Sequence, residues 1–236
     1  MTGRASHSAV VHCIEALPVN ARYLRRAANA LGWQDEFKVQ NVALGPTDGQ
    51  VLFPDDPSDA VGIEDIGIDT CRDPLRNTSC VPIQQYKLDT FVNQFVNAPT
   101  IDLLSVDVEG YDWDVLLGGD ATLKRVNYLE FEYHQVGNWP NHQLSTAIDK
   151  LKGQGFVCYW AGAFGQLWRI SDCWQEYYNL HYWSNVACVN VNQPSVETMA
   201  QRMEELFLQT LAQGDKIRYD HESKAVSIQK TKQSES

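Results

Sequence analysis

Short apolar runs alternate with amphipathic segments along the chain, and their spacing predicts its first elements. The run at residues 9–16 ends in a single acid, Glu15, and is typical of a strand buried on both faces. A helix is predicted directly after it, because Pro18 suits a first helical turn and Gly32 suits a helix end. A second strand follows at residues 37–44. Strand, helix and strand over so short a length are typical of a βαβ unit, so we expect a parallel sheet.

The alternation resumes beyond residue 84 and predicts most of the remaining elements. In chain order they are a short helix at 87–91, a strand at 101–108, a helix at 111–117, a further helical segment ending at 125, a strand at 126–134, a helix at 144–151, strands at 156–161, 166–170 and 185–191, and a last helix at 195–213. Ser195 is the expected N-cap of that last helix. Residues 214–236 are polar and lack periodicity, which predicts a disordered tail. Helices that alternate with strands in this way predict an α/β fold.

Residues 46–84 interrupt the rhythm with prolines, glycines and acids. They carry eight acidic side chains against two arginines. Connections of this length without their own regular structure are either functional lids or solvated excursions, and a run of charge favours the second. We therefore interpret the segment as an acidic insertion that forms a long loop.

The whole chain is acidic, with 19 Lys and Arg against 30 Asp and Glu and a net charge of −11 over 236 residues. Nucleic-acid phosphates and anionic membrane surfaces repel such a chain, so neither is an expected partner. No apolar run is long enough for membrane insertion, and the first residues lack the layout of a secretory signal. Composition alone leaves the compartment open.

Six cysteines are too few for a disulfide scaffold, and none forms the CxxC pair that is typical of zinc sites. Cys71 with Cys80, or Cys158 with Cys188, could pair in an oxidising compartment, but we favour buried free thiols. Asn77 begins a glycosylation sequon, which matters only for a secreted protein.

Acidic residues stand at the ends of three predicted strands, where an open parallel sheet binds its ligands. Glu15 ends the first strand, in the position of an acid that accepts two hydrogen bonds from a ribose diol. A solvated acid beside the arginines of the next helix explains Glu15 as well. The strand at 126–134 ends in Glu130, Glu132 and His134. Acids and one histidine on neighbouring strand ends indicate an active site, although a single histidine is more often structural.

Asp107 and Glu109 follow the strand at 101–108, and Gly110 permits a turn after them. Two nearby acids can bind a cation, raise each other's pKa for acid–base work, or cap the following helix. For Glu109 and Asp112 the capping role is the simpler interpretation. For Asp107, which lies between two valines near the centre of the sheet, we favour a functional role.

The stretch IDLLSVDVEGYDWDVLLGG, followed by VNYLEFEYH, resembles the core signature of the FkbM-type methyltransferases. The segments CIEALPVNARYLRRAANALG, VALG and KLDTF fall in the same order as in that family, so the resemblance spans roughly residues 10–190. Ser105 departs from the lysine that is usual in this strand. Members of the family are class I enzymes that use S-adenosylmethionine and mostly methylate hydroxyl oxygens.

The resemblance implies a Rossmann-like class I methyltransferase sheet with helices on both faces, in a domain over residues 1–213. It implies that Glu15 binds ribose and that Asn41 lies near adenine. It also implies that Asp107 contributes to the cofactor site. The residues that it places at the methyl-transfer pocket are Asp107, Glu109, Glu132 and His134.

One part of the family pattern is missing. Class I methyltransferases begin with a strand and a glycine-rich turn that hold the methionine part of the cofactor, and only MTGRASHS precedes the first predicted strand here. We therefore expect a gene model that is truncated or starts at an alternative site. Without that unit, the strands at 9–16 and 101–108 must pair directly or leave an exposed seam.

Three functions remain open at this point. The first is methyl transfer from S-adenosylmethionine to a hydroxyl of a small molecule or glycan, with an acid or His134 taking the proton and no metal required. The second is a catalytically inactive remnant that acts as a binding module, which the missing glycine loop supports. The third is a metal-dependent glycosyltransferase, because Asp107-Val108-Glu109 mimics a DxD arrangement.

Overall fold

A computed structural model describes residues 9–55, 68–73, 75, 78–162 and 165–213. The strands in these ranges are β1 (Val11–Ile14), β2 (Phe37–Gln40), β3 (Ala43–Leu44), β4 (Gly49–Pro54), β5 (Cys80–Tyr86), β6 (Ile101–Val106), β7 (Val126–Tyr133), β8 (Phe156–Ala161), β9 (Leu167–Arg169) and β10 (Ser184–Asn190). The helices are α1 (Pro18–Leu31), α2 (Leu88–Phe95), α3 (Asp112–Leu117), α4 (Asp120–Leu123), α5 (Leu144–Gly153) and α6 (197–213). The tail that the sequence predicts at 214–236 lies outside the described residues.

The central sheet has five strands in the order β6-β7-β10-β8-β9. β6 and β7 run parallel, with Val106 opposite Phe131. β10 lies antiparallel between β7 and β8, and its first residue, Ser184, is opposite Tyr133. The carboxyl ends of β6, β7 and β8 therefore share one edge of the sheet with the start of β10.

Helices pack on both faces of this sheet, as the sequence predicts. The alternation of side chains along β7 sends Leu129, Phe131 and Tyr133 into the larger core, where α2, α3, α4 and α5 cover them. The opposite face is covered by α6, whose Met203 and Phe207 pack in a second core. The molecule is thus an α/β protein with a Rossmann-like methyltransferase architecture, in agreement with the predicted fold class.

The first βαβ unit forms a separate small sheet. β1 pairs with β2 in parallel, and α1 connects them from Pro18 at its first turn to Gly32 in the left-handed conformation. Ile14 packs against the larger core, so this unit shares that core with the central sheet. Among the described residues β1 and β6 do not pair, and Leu103 of β6 is 59% exposed. The sequence left two possibilities, direct pairing of these strands or an exposed strand edge, and the structure has the exposed edge.

The interpretation of residues 46–84 as a long loop is wrong. β4 and β5 pair antiparallel over six positions from this segment, and β3 adds in parallel at Gln85 and Tyr86. Pro82 has no N–H to donate, but it lies in the part of β5 that has β4 on one side only. Because the segment is rich in prolines and acids, its local composition did not predict the two strands that pair with each other.

The preference for free thiols is also wrong for four of the six cysteines. Disulfides join Cys71 to Cys80 and Cys158 to Cys188, whereas Cys13 and Cys173 are free. Cys158 and Cys188 are directly opposite each other on neighbouring strands, a register that sequence spacing does not reveal.

The start of α6 differs from the prediction as well. Ser195 lies within a 3-10 turn, Pro194–Val196, and α6 begins after it. Its hydroxyl forms a hydrogen bond with Oδ1 of Asn127 (3.2 Å). The Asn127 amide in turn donates to Asp102. Ser195 therefore fastens the start of α6 to the central sheet.

Candidate functional site at the carboxyl ends of β6 and β7

Asp107 and Glu132 lie at neighbouring strand ends. Asp107 directly follows β6, and Glu132 is the penultimate residue of β7, in a parallel register that places Val106 opposite Phe131. The two side chains are close enough for the charge of Asp107 to raise the pKa of Glu132, after the larger effect of burial. The structure thus brings two of the predicted site residues together.

Glu132 lies next to both the indole of Trp183 and the imidazole of His134. Its Oε2 accepts a hydrogen bond from the indole N–H of Trp183 (2.9 Å) and lies 3.7 Å from Nε2 of His134. Burial, the charge of Asp107 and the charge of Glu130 raise the pKa of Glu132, whereas the Trp183 bond lowers it. A carboxylate with a raised pKa at the mouth of a sheet can accept a proton near neutral pH.

His134 is fully buried and its ring is fixed from two sides. Its Nδ1 accepts the backbone N–H of Val136 (3.1 Å), and its ring stacks on Trp183 with centroids 4.4 Å apart. Because Nδ1 accepts, the proton of the neutral ring sits on Nε2, which faces Glu132. At 3.7 Å this nitrogen is a close neighbour of the Glu132 carboxylate, at more than hydrogen-bond length.

Glu109 and Gly110 form the turn that follows β6. Both have positive φ, 53° for Glu109 and 87° for Gly110, and the first is unusual for a residue other than glycine. A Cβ on Gly110 would lie 2.0 Å from the carbonyl oxygen of Val136, and the Gly110 carbonyl accepts the N–H of Asn138. The turn after β6 therefore packs closely against the loop after β7 and is hydrogen-bonded to it. The structure gives Glu109 a part in this turn that the sequence does not predict.

Asp112 is a residue of this site to which the sequence assigned only a capping role. It begins α3 and is fully buried, with Oδ1 accepting the backbone N–H of Glu132 (3.3 Å). Within the described part of the chain, Oδ2 has no hydrogen-bond partner. Burial, together with the charges of Asp107 and Glu132, raises the pKa of Asp112 to about 7. One signal was available, because Asp112 shares a helix face with the apolar Val115 and Leu116 at i+3 and i+4.

Part of the acidic insertion contacts the start of α3. The hydroxyl of Tyr111 donates to Oδ1 of Asp69 (2.7 Å), and the Arg72 guanidinium donates to the Tyr111 oxygen (3.0 Å). Burial and the Asp69 carboxylate raise the pKa of Tyr111 to about 12, so this hydroxyl stays protonated. The Cys71–Cys80 disulfide ties the same turn to β5. The insertion thus reaches the residue next to Gly110.

Glu15 and Asn41 lie at the carboxyl end of the small sheet, after β1 and β2. Oε1 of Glu15 accepts the N–H of Leu17 (2.7 Å). Burial raises the pKa of Glu15, and the hydrogen bonds from Leu17 and Asn20 oppose this effect. The Asn41 amide donates to the carbonyl oxygens of Glu15 and Ala16, so it holds the turn between β1 and α1 in place.

The described residues contain no group of three or more His, Cys, Asp or Glu arranged to hold a metal ion. In the same ranges, no helix combines the length and the apolar character that a membrane crossing requires. The chemistry that the site itself presents is that of carboxylates with raised pKa beside an oriented imidazole and an indole.

Comparison with known proteins identifies a domain family. Neither a curated protein nor a solved structure matches the chain. The family model described as Methyltransferase FkbM domain matches residues 4–158, which is well over half of the chain and includes the turn after β6 and the end of β7. The chain therefore belongs to the FkbM methyltransferase-domain family.

Proposed function

We propose that this protein transfers a methyl group from S-adenosylmethionine to a hydroxyl oxygen of a small molecule or glycan. The observation that carries the proposal is the Glu132 carboxylate at the carboxyl end of β7, which accepts a hydrogen bond from Trp183 and lies beside His134. An oxygen nucleophile must lose its proton during transfer, and a fixed carboxylate of raised pKa is suited to accept it.

The residues at the carboxyl end of β1 fit the ribose of this cofactor. The Glu15 carboxylate is half-buried there, and one of its oxygens already accepts the Leu17 N–H. A carboxylate has about four acceptor positions, so Glu15 retains the capacity to accept both hydroxyls of a ribose. The acidic cluster around Asp107 fits a positively charged sulfonium by charge. On this proposal Glu15 and Asp107 hold the cofactor, and Asn41 fixes the turn on which Glu15 lies.

When bound, S-adenosylmethionine supplies a methyl group on a positively charged sulfur. That methyl group would pass to the acceptor oxygen, and the electron pair of the broken carbon–sulfur bond would remain on sulfur. Glu132 takes the proton of the acceptor hydroxyl, so the charges balance. The hydrogen bond from Trp183 keeps Glu132 oriented, and His134 lies beside the same carboxylate.

Binding and turnover test this proposal separately. Isothermal titration with S-adenosylhomocysteine should show binding to the wild-type chain and at least tenfold weaker binding to Glu15→Gln. Glu36→Gln is the matched control, because Glu36 is an exposed acid at the opposite end of the small sheet. Transfer of radiolabelled methyl to neutral oligosaccharides and small alcohols should disappear in Glu132→Gln while S-adenosylhomocysteine still binds.

Two outcomes would overturn the proposal. A folded chain that binds no S-adenosylhomocysteine, with or without the genomic sequence upstream, would favour the binding-module hypothesis. Transfer of a sugar from a nucleotide sugar that requires Mg²⁺ or Mn²⁺ and fails in Asp107→Asn would favour the glycosyltransferase hypothesis.

A further inference from the structure

The small sheet has a free outer edge along β2 in the part of the chain that the structure describes. β2 pairs with β1 on one side, and the two strands form a sheet of their own. The N–H of Glu15 donates to the Gln40 carbonyl, so the backbone groups of Gln40 face β1. Because backbone groups alternate in direction along a strand, those of Phe37 and Val39 face the outer edge.

Hydrogen bonds cover only part of this outer edge. The Phe37 N–H donates to the Trp33 carbonyl (2.7 Å), and the Val39 carbonyl accepts a hydrogen bond from Nε of Arg25 (3.3 Å). The Phe37 carbonyl and the Val39 N–H have no hydrogen-bond partner among the described residues. One residue of an added strand would donate to this carbonyl and accept from this N–H, as neighbouring strands of a sheet do.

A cavity of about 320 Å³ runs along the same edge, between β2 and α1. All four residues of β2 line it, and Arg25 and Ala28 line it from α1. Ala28 is buried, and Phe37 and Val39 are half-buried, so part of the wall is apolar. This volume is within the range of ligand pockets in proteins. The free backbone groups of β2 therefore lie beside a space that a ligand can enter.

The charge of the cavity is opposite to that of the chain. Arg25 and Lys38 line it, and none of the described lining residues is Asp or Glu. α1 contains three arginines and no acid, although the whole chain has 30 acidic against 19 basic residues. Lys38 lies 3.8 Å from Asp35, whose side chain is 87% exposed. Because Arg25 bonds to Val39 through Nε, its two terminal nitrogens can bind a carboxylate.

We propose that the outer edge of β2 binds an extended acidic segment of a partner protein, which adds a strand to the small sheet. The backbone of the segment pairs with the Phe37 carbonyl and the Val39 N–H, and its carboxylates bind Arg25 and Lys38. Charge selects this occupant over a second copy of the chain, because two copies joined at this edge would bring like cations together. The inference is independent of methyl transfer, since it uses none of the residues around Glu132.

Synthetic peptides can separate strand pairing from simple charge attraction. A labelled, terminally blocked heptapeptide of alternating glutamate and threonine should show saturable binding to the full chain by fluorescence anisotropy. The analogue with glutamine in place of glutamate should bind at least fivefold more weakly. Two further analogues carry N-methyl groups on all glutamates or on all threonines. A strand pairs at one edge through alternate residues, so at least one of these analogues should bind at least fivefold more weakly than the parent.

Substitutions in the chain locate the peptide. Arg25→Gln and Lys38→Gln should each weaken binding about two- to fivefold, the range for loss of one exposed ion pair. Arg202→Gln is the matched control, because Arg202 is an exposed arginine of α6. In the wild-type chain, the Val39 amide proton should exchange more slowly with solvent when the peptide is bound, because it gains a partner. Binding of S-adenosylhomocysteine should be the same in all these variants.

Four results would overturn the proposal. Equal binding of the parent and both N-methylated peptides would show charge attraction without strand pairing. Displacement of the peptide by equimolar inorganic phosphate or glutarate would identify a small anion as the ligand. A dimer in sedimentation that Arg25→Glu abolishes would identify a second copy as the occupant. Failure of every peptide to bind would show that Arg25 and Lys38 keep other chains away from this edge.

Discussion

The indole N–H of Trp183 donates to Oε2 of Glu132 across 2.9 Å, although 51 residues separate them in the chain. The antiparallel pairing of β10 with β7 creates this contact, because it puts Ser184 opposite Tyr133 at the sheet edge. Asp107 acts on the same carboxyl from the other neighbouring strand. The two neighbours have opposite effects, since the indole stabilises the carboxylate and Asp107 repels it.

These opposite effects predict opposite shifts in the pH dependence of methyl transfer. On the proposed mechanism Glu132 acts as the base in its ionised form, so kcat/KM should fall as the pH drops through its raised pKa. Trp183→Phe removes the bond that lowers the pKa and should move this acid limb to higher pH. Asp107→Asn removes the repulsion and should move it to lower pH. Profiles of kcat/KM against pH for the three proteins measure both shifts.

Glu130→Gln provides a graded comparison for this experiment. Glu130 lies two residues before Glu132 on the same strand face and contributes a smaller repulsion than Asp107 does. Its replacement should therefore shift the acid limb less than Asp107→Asn does. Shifts of the same sign in Trp183→Phe and Asp107→Asn would contradict the assignment of Glu132 as the base.

The buried Asp112 predicts a distinct dependence of stability on pH. Its folded pKa of about 7 is above the usual value near 4, so the unfolded state releases the proton first as the pH rises. The contribution of Asp112 to stability is complete below about pH 4 and is lost as the pH rises to 7. Asp112→Asn has no proton to lose. Relative to wild type, its free energy of unfolding should increase by about 2 kcal/mol between pH 5.5 and pH 8.

Denaturation by urea at the two pH values measures this difference. Asp149→Asn is a suitable control, because it makes the same chemical change at an exposed position on α5. If Asp112→Asn behaves like this control, then Asp112 is ionised in the folded protein or in contact with water.

The strand ends of this site can be predicted from the sequence, whereas the contacts between its side chains cannot. An apolar run that ends in an acid predicts β6 with Asp107, and alternation predicts β7 with Glu132. Two parallel neighbours must end at one edge, so the proximity of these acids could be expected. Trp183 could not be assigned, because its contact depends on the register of β10. Asp112 was assigned only a capping role, because an acid in a first helical turn is equally stable when exposed.

The pairing of β4 with β5 shows the same limit. Local composition in residues 46–84 is that of a loop, and the 25 residues between β4 and β5 include two prolines and seven acids. What decides the structure is cross-strand contact, with Val51 opposite Ile83 and Phe53 opposite Val81. Such pairs gain energy only from a partner that is distant in sequence, so propensity does not reveal them.

The close packing of the turn after β6 on the loop after β7 can be tested at Gly110. Gly110→Ala places a Cβ about 2.0 Å from the Val136 carbonyl oxygen, at a φ of 87° that alanine rarely adopts. We expect a loss of roughly 2 kcal/mol or more in the free energy of unfolding. Gly153→Ala is the control, since Gly153 ends α5 with no atom within 4 Å of a new Cβ and should change stability by less than about 1 kcal/mol. Equal, small effects of the two substitutions on the free energy of unfolding would show that the turn is not closely packed.

The disulfides give the last prediction. All six cysteines lie in the described ranges, and only Cys13 and Cys173 are free thiols there. Alkylation of denatured, unreduced protein from an oxidising expression host should therefore label two cysteines, and prior reduction should raise this number to six.

Because Cys158–Cys188 closes the longer loop and is fully buried in the larger core, Cys158→Ala with Cys188→Ala should cost more stability than Cys71→Ala with Cys80→Ala. Chain entropy alone gives about 3.5 kcal/mol against about 2.5 kcal/mol. Labelling of all six cysteines without reduction would contradict both assignments, and a larger loss from the Cys71 pair would show that the insertion, rather than the central sheet, limits stability.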